Sequence, residues 1–131
     1  MKKIGLLNQP LSAVIAGLGH TDTLVIADAG LPIPASTQRI DLALVKGVPD
    51  FVETLAAVLG EMQVERAIIA NEMATANPTV HSKTKKLLNK VTVETVSHEE
   101  FKRLTANARA VVRTGECSPY ANVILVSGVT F

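Results

Sequence analysis

The sequence predicts an α/β fold: a single three-layer domain over residues 1–131 with a mostly parallel (mixed) sheet of about six strands. Short runs rich in valine and isoleucine alternate with segments of helical periodicity, the pattern of strands joined by crossover helices. Of the 131 residues, 47% are hydrophobic, enough for one core without disulfides or metals. No repeat, linker or low-complexity segment divides the chain, so we expect one domain.

The first half of the chain is predicted to hold three strands and two helices. The first helix starts near Pro10, because the next apolar residues recur at i, i+3, i+4 and i+7. A second helix is predicted from Pro49 to about Met62, with one apolar face. The strands are expected at the apolar runs Thr23–Ala27, Arg39–Leu44 and Val64–Ala70.

The second half begins with a predicted helix from Pro78 to about Leu88, for which Asn77 is the expected N-cap. A strand at 91–96 follows it. Ser97 to Glu100 fits a capping box, in which Ser97 caps the next helix and the Glu100 side chain reaches back to Ser97. The last two strands are predicted at Ala110–Arg113 and Asn122–Val126, with the loop Thr114–Ala121 between them.

Composition excludes several classes of function. Thirteen lysines and arginines oppose twelve acidic residues, so we expect no nucleic-acid partner and no polybasic membrane surface. Cys117 is the only cysteine, which excludes an internal disulfide and a cysteine-rich zinc site. The three histidines have no ligand-like spacing, and no phosphate loop is present. We therefore expect no metal and no cofactor. With no membrane-length apolar run and no secretory h-region, we expect a cytoplasmic protein.

Two residues flank the first predicted strand. His20 lies in a tight, glycine-containing connection just before it, and is either functional or a plain surface or capping histidine. The glycines there do not form a dinucleotide fingerprint, because that motif must follow a strand and open a helix. Asp28 follows the strand, at the edge where open α/β sheets bind ligands, although an aspartate there can also simply form a turn.

Two further places offer groups that suit a polyol. His98 is expected in the first turn of a helix, where the helix dipole favours a neutral imidazole that can hydrogen-bond to a sugar, unless it is merely solvent-exposed. Tyr120 and Asn122 project to the same side if the chain there is extended. Cys117 has no neighbour that would activate its thiol, so we expect it to be a packing residue.

The ordered motifs of this sequence resemble the ribose and fucose mutarotase family over essentially the whole chain. They are Leu18 to Asp22, Asp28 to Pro34, Ser97 to Lys102 and Arg113 to Phe131. Ser118 stands where some members carry threonine, a conservative departure. The resemblance implies an isomerase that interconverts the pyranose and furanose forms of D-ribose and so supplies a kinase.

The resemblance also implies roles for particular residues. His20 would be the general acid, and the D-ribose-binding residues would be Asp28, His98, Tyr120, Ala121 and Asn122. The family is a ring-shaped homodecamer of two pentamers with sites near subunit contacts, so we expect a homo-oligomer. The general base stays open between Asp28, His98 and water. A fucose or other sugar mutarotase and a non-catalytic ribose-binding or transport-accessory protein remain the alternatives.

Overall fold

Six strands form one open, mixed sheet in the computed structural model, which describes residues 1–131. In chain order they are β1 (Thr23–Ala27), β2 (Gln38–Asp41), β3 (Val64–Ala70), β4 (Thr92–Val96), β5 (Ala110–Arg113) and β6 (Val123–Ser127). Across the sheet the order is β2-β5-β1-β6-β3-β4. Only β6 is antiparallel, to β1 on one side and β3 on the other. The predicted mostly parallel, mixed sheet of six strands is confirmed.

Helices cover both faces of this sheet. They are α1 (Gln9–Gly17), α2 (Phe51–Leu59), α3 (Glu72–Ala76), α4 (Pro78–Leu87) and α5 (His98–Leu104), the last followed by a 3-10 turn, Thr105–Asn107. Alternate residues of β1 enter separate cores because strand side chains alternate between faces. Leu24 and Ile26 pack with Phe51 of α2, whereas Val25 and Ala27 pack with Phe101 of α5. None of the helices has the length and apolar character needed to cross a membrane.

Three of the helices begin at side-chain caps. Asn8 accepts a hydrogen bond from the Leu11 amide at 3.0 Å, and Pro10 occupies the first turn of α1. Asp50 accepts one from the Glu53 amide at 2.7 Å, so α2 starts two residues after the predicted Pro49. Each such cap satisfies a backbone donor that has no partner within its helix.

The second strand is shorter than the sequence predicted. It ends at Asp41 instead of Leu44, because its partner β5 ends at Arg113 and the Leu42 amide makes the last bond to that residue. Residues 42–48 form a separate loop, which exposes the side chains of Leu44, Val45 and Val48.

Two of the predicted caps are confirmed only in part. Ser97 does cap α5 by accepting from the Glu100 amide, but the Glu100 side chain pairs with Arg103 instead of reaching back. Asn77 does occupy the N-cap position of α4, with Pro78 in the first turn, but its side chain makes no cap hydrogen bond because its carboxamide donates to Ser118 instead. The sequence also missed α3, whose five residues are too few to show a helical period.

Candidate active site

Asp28 and Asn122 hold each other at the carboxyl end of β1. The Asp28 amide donates to Asn122 Oδ1, and Asn122 Nδ2 donates to Asp28 Oδ2, both at 2.9 Å. The second carboxylate oxygen, Oδ1, accepts from the Gly30 amide at 2.9 Å. Asn122 is fully buried and Asp28 is half-buried, so the Asn122 carboxamide holds the Asp28 carboxylate from the side of the protein interior. The carboxylate therefore has a defined orientation toward the surface.

The loop between β5 and β6 is held by a second polar cluster. Glu116 Oε1 accepts from the Ser118 hydroxyl at 2.8 Å, and Oε2 accepts from the Phe51 amide at 3.2 Å. Burial opposes ionisation of Glu116, but the hydrogen bonds from Ser118 and from Phe51 outweigh it and lower its pKa below the ordinary value. Asn77, which is buried, donates to Ser118 Oγ at 2.8 Å and to the Pro119 carbonyl at 2.9 Å.

His98 and Tyr120 meet beside this loop. Their rings are 5.0 Å apart between centroids in an edge-to-face arrangement, and His98 also stacks on Phe101. The His98 amide donates to both carboxylate oxygens of Glu72 at 3.1 Å. Hydrogen bonds from the Glu72 amide itself and from His98 lower the pKa of Glu72. The Nδ1 atom of His98 is buried without a partner. His98 lies in the first turn of α5, as the sequence predicted.

A cleft of about 370 Å³ opens beside the Asp28 carboxylate. Its lining residues are Asp28, Ala29, Gly30, Glu116, Cys117, Ser118 and Pro119. The Cys117 side chain is exposed there, so the predicted packing role is wrong. The reason is that the loop leaves the core after the buried Gly115: Glu116 and Ser118 on either side of Cys117 are only half-buried.

Tyr120 does not lie in extended backbone, which corrects a premise of the sequence analysis. Its φ of 58° is left-handed, and the Asn122 amide donates to the Tyr120 carbonyl at 2.9 Å. The turn separates the two side chains: Tyr120 reaches His98, whereas Asn122 lies under Asp28. Ala121 between them is fully buried. Five of the six predicted residues therefore gather at one edge of the sheet.

His20, the sixth, lies at the opposite edge. It precedes β1, whereas Asp28 follows it, and the five residues of that strand span about 13 Å between their first and last Cα atoms. The His20 side chain is 54% exposed, and its Nε2 atom lies 2.9 Å from Glu65 Oε2 at the start of β3. Within this chain β1 therefore keeps His20 and Asp28 at opposite ends of the sheet.

The turn that carries His20 is fixed by its neighbours. Asp22 accepts from the Gly19 amide at 2.8 Å and pairs with Arg109 at 3.1 Å, and these two contacts lower the pKa of Asp22. The Thr21 amide donates to the Ser127 carbonyl at 2.9 Å. Thr21 has a φ of 67°, a strained value for a β-branched residue that the surrounding bonds must hold in place.

Several residues that shape these two places were not predicted from the sequence to belong to them. They are Glu65, Glu72, Asn77 and Glu116, all of which act through contacts distant in sequence. Of these, Glu116 lies in the loop Thr114–Ala121 that the sequence predicts between the last two strands. The other three carried no local signal beyond that of ordinary surface or capping residues.

Comparison with known proteins gives a consistent result over the whole length. A family model described as the RbsD / FucU transport protein family matches residues 1–130. A curated relative from Laribacter hongkongensis named D-ribose pyranase is 59% identical over 131 residues, covering 100% of both chains. A second of that name, from Geobacillus thermodenitrificans, is 55% identical over 100% of this chain and 99% of its own.

Solved structures extend this similarity to the fold. The structure of Bacillus subtilis RbsD complexed with D-ribose matches with a TM-score of 0.97 and 50% identity, covering 100% of both chains. The fucose mutarotase of Streptococcus pneumoniae in complex with L-fucose matches with a TM-score of 0.85 and 26% identity, again over 100% of both chains.

Proposed function

The chain belongs to the RbsD / FucU transport protein family, and from this we propose that it is an isomerase that interconverts the pyranose and furanose forms of D-ribose. The observation that carries this is the similarity to the RbsD complex with D-ribose, at 50% identity over both whole chains. Identity to the L-fucose-bound mutarotase is 26%, which favours D-ribose over fucose as the substrate.

The reaction needs only acid–base chemistry. Ring opening requires a proton on the ring oxygen and the loss of one from the anomeric hydroxyl, and reclosure through a different hydroxyl changes the ring size. A positioned acid or base contributes roughly 10²–10⁴-fold, which suits a reaction that also proceeds spontaneously. We assign the acid to His20, because imidazole exchanges protons near neutral pH.

The remaining proposed site residues surround the sugar. The Asp28 carboxylate keeps free lone pairs after its bonds to Gly30 and Asn122, so it can accept hydrogen bonds from hydroxyls and take the anomeric proton. His98 and Tyr120 offer a ring nitrogen and a hydroxyl to the same ligand. Ala121 and Asn122 are fully buried, and we assign them to the floor of the site.

We propose that a neighbouring subunit supplies His20. Asp28 and His20 lie at opposite ends of β1 within one chain, so one chain alone cannot present both to one sugar. If the His20 edge of one subunit meets the Asp28 edge of the next, a complete site forms between them. The non-catalytic alternative would need the binding groups but not His20.

Apolar side chains at the two edges support such a contact. Leu44 and Val45 are 78% and 60% exposed beside the end of β5, near the Asp28 cleft. Phe131 is fully exposed just after β6, whose end pairs with the turn beside His20. Contact between two different patches makes a head-to-tail interface, and such an interface forms a ring when the rotation from one subunit to the next closes. We therefore retain the ring-shaped homodecamer of two pentamers as the proposed assembly, and a cytoplasmic location beside the kinase that consumes the furanose.

Saturation-transfer NMR of D-ribose tests the function, because it measures pyranose–furanose exchange directly. The wild-type protein should accelerate exchange, and His20→Ala should lower the rate at least about 100-fold. His81→Ala, which removes a histidine from α4, should leave the rate unchanged. A full rate in His20→Ala would overturn the catalytic assignment. Repeating the assay with fucose and galactose defines the substrate range.

A further inference from the structure

Glu65 is the one side chain that pairs with the His20 imidazole, with Oε2 2.9 Å from Nε2. We propose that Glu65 is the positioning residue of His20, fixing its proton on Nε2 and turning Nδ1 toward the sugar. The proposal rests on the isomerase function proposed above, in which His20 is the acid. It assigns to each nitrogen of that imidazole a separate task.

The chemistry of the two groups determines which nitrogen carries the fixed proton. An ionised carboxylate can only accept hydrogen bonds, so the nitrogen beside Glu65 must donate. In both charge states of His20 the proton on Nε2 therefore stays between the ring and Glu65. Because Nε2 is engaged with Glu65, Nδ1 is left as the only ring nitrogen that can give up or take a proton. The same contact fixes the orientation of the ring.

The proton balance of the reaction fits this division. The Nδ1 proton of protonated His20 passes to the ring oxygen as the bond from that oxygen to the anomeric carbon breaks. The anomeric hydroxyl gives its proton to the base, and a carbonyl forms. On reclosure, the attacking hydroxyl gives its proton to Nδ1 while the base returns one to the carbonyl oxygen. The enzyme ends as it began, and the Nε2 proton never leaves the Glu65 pair.

The backbone around both residues is built to hold the pair. The turn that carries His20 is closed by the hydrogen bond from the Gly19 amide to Asp22, and the Thr21 amide ties it to the Ser127 carbonyl. On the other side, Gly128 lies against the stem of Glu65: a Cβ at residue 128 would sit 3.2 Å from Glu65 Cβ. A larger residue there would press on Glu65, so glycine leaves its side chain free to meet His20.

A subunit contact would strengthen the pair. In the single chain the His20 and Glu65 side chains are 54% and 41% exposed, and exposed ion pairs contribute little. If a neighbouring subunit covers the His20 edge, it displaces water from the pair and lowers the local dielectric constant. The electrostatic attraction across the same 2.9 Å contact between His20 and Glu65 then becomes stronger. The orienting effect of Glu65 is then largest in the assembled enzyme, where the reaction takes place.

Glu65→Gln tests the proposal, because an amide can either accept from or donate to Nε2 and so no longer selects one tautomer. We expect kcat for D-ribose exchange to fall about tenfold with KM within about twofold. Glu65→Asp keeps a carboxylate and should recover the rate to within about threefold. Glu94→Gln is the matched control, because it removes a carboxylate of similar exposure that pairs with Arg66 at 3.0 Å on the neighbouring strand. It should leave kcat unchanged.

The tautomer itself gives a second readout that does not depend on activity. The protein has three histidines, so a ¹⁵N-histidine-labelled sample gives few signals, and His20→Ala assigns that of His20. Wild type should show the proton of neutral His20 on Nε2, and Glu65→Gln should show a mixture of tautomers. An unchanged tautomer and a kcat equal to that of Glu94→Gln would overturn the role of Glu65. Failure of the proposed function would show differently, as a wild type that does not accelerate exchange.

Discussion

Replacing Asn122 with alanine should remove the hydrogen bonds that anchor Asp28 to a buried side chain. The substitution removes both 2.9 Å hydrogen bonds that join the two residues, one to the Asp28 amide and one to its carboxylate. Asn122 is fully buried, so no solvent-exposed role complicates the effect. Asp28 would then keep only the bond from the Gly30 amide to its Oδ1 atom.

The size of the effect follows from these two bonds. A hydrogen bond to a charged group contributes about 1.5–3 kcal/mol, and a donor left without a partner costs about 1–3 kcal/mol. Because Asp28 is only half-buried, water can replace part of the loss, which favours the lower end of both ranges. We expect the free energy of unfolding to fall by about 2–3 kcal/mol and Tm by about 7–10 °C. The KM for D-ribose should rise about tenfold, since the carboxylate loses its orientation.

Urea denaturation at equal protomer concentration measures the first change, and saturation-transfer NMR of D-ribose measures the second. Asn107→Ala is the control, because Asn107 is exposed in the 3-10 turn and should change neither quantity. If the free energies of unfolding of Asn122→Ala and Asn107→Ala differ by less than about 0.5 kcal/mol, the reasoning about Asp28 is wrong.

Two further predictions concern the loop between β5 and β6. Gly115→Ala should destabilise the protein by about 2–4 kcal/mol in urea denaturation, because its Cβ would lie 2.6 Å from the Val45 carbonyl oxygen and the Val48 amide nitrogen. Gly17→Ala, whose Cβ meets nothing within 4 Å, should not destabilise it, and equal effects would contradict the close approach. Glu116 has a lowered pKa in the folded protein, so its stabilising contribution is present above its ordinary value of 4.5 and is lost as the pH falls through the lower folded value. The wild type should therefore be more stable than Glu116→Gln at neutral pH, and a gap in unfolding free energy that does not shrink by about pH 3.5 would count against this.

The strands and the position of Asp28 could be predicted because their signals are local. A short continuous run of apolar residues marks β1 as a buried strand, and a polar residue just after it lies at the ligand-binding edge of an α/β sheet. The distance between His20 and Asp28 also follows from that strand, since the two residues precede and follow it. His98 at the start of α5 was likewise predictable from the Ser97 cap.

The partners of these residues could not be predicted, because they depend on the order of the sheet. Asn122 reaches Asp28 across 94 residues only because β6 is inserted beside β1 in the antiparallel direction. Glu65 reaches His20 because β3 pairs with the other side of β6. The hydrophobic periodicity of a sequence does not indicate which strands pair with one another. The missing cap hydrogen bond of Asn77 has the same origin, because its carboxamide binds a residue 41 positions away instead of the first turn of α4.

The most direct test of the shared site is complementation between two inactive variants. His20→Ala and Asp28→Asn chains, refolded together in equal amounts, should each contribute the group that the other lacks. Suppose that one subunit supplies His20 and its neighbour supplies Asp28. With random mixing, about half of the subunits have an intact His20, and about half of their neighbours have an intact Asp28. About a quarter of the sites are then complete, so the mixture should show about a quarter of the wild-type exchange rate. If both groups act from the same chain, every site lacks one of them, and a mixture no more active than either variant alone would contradict the account.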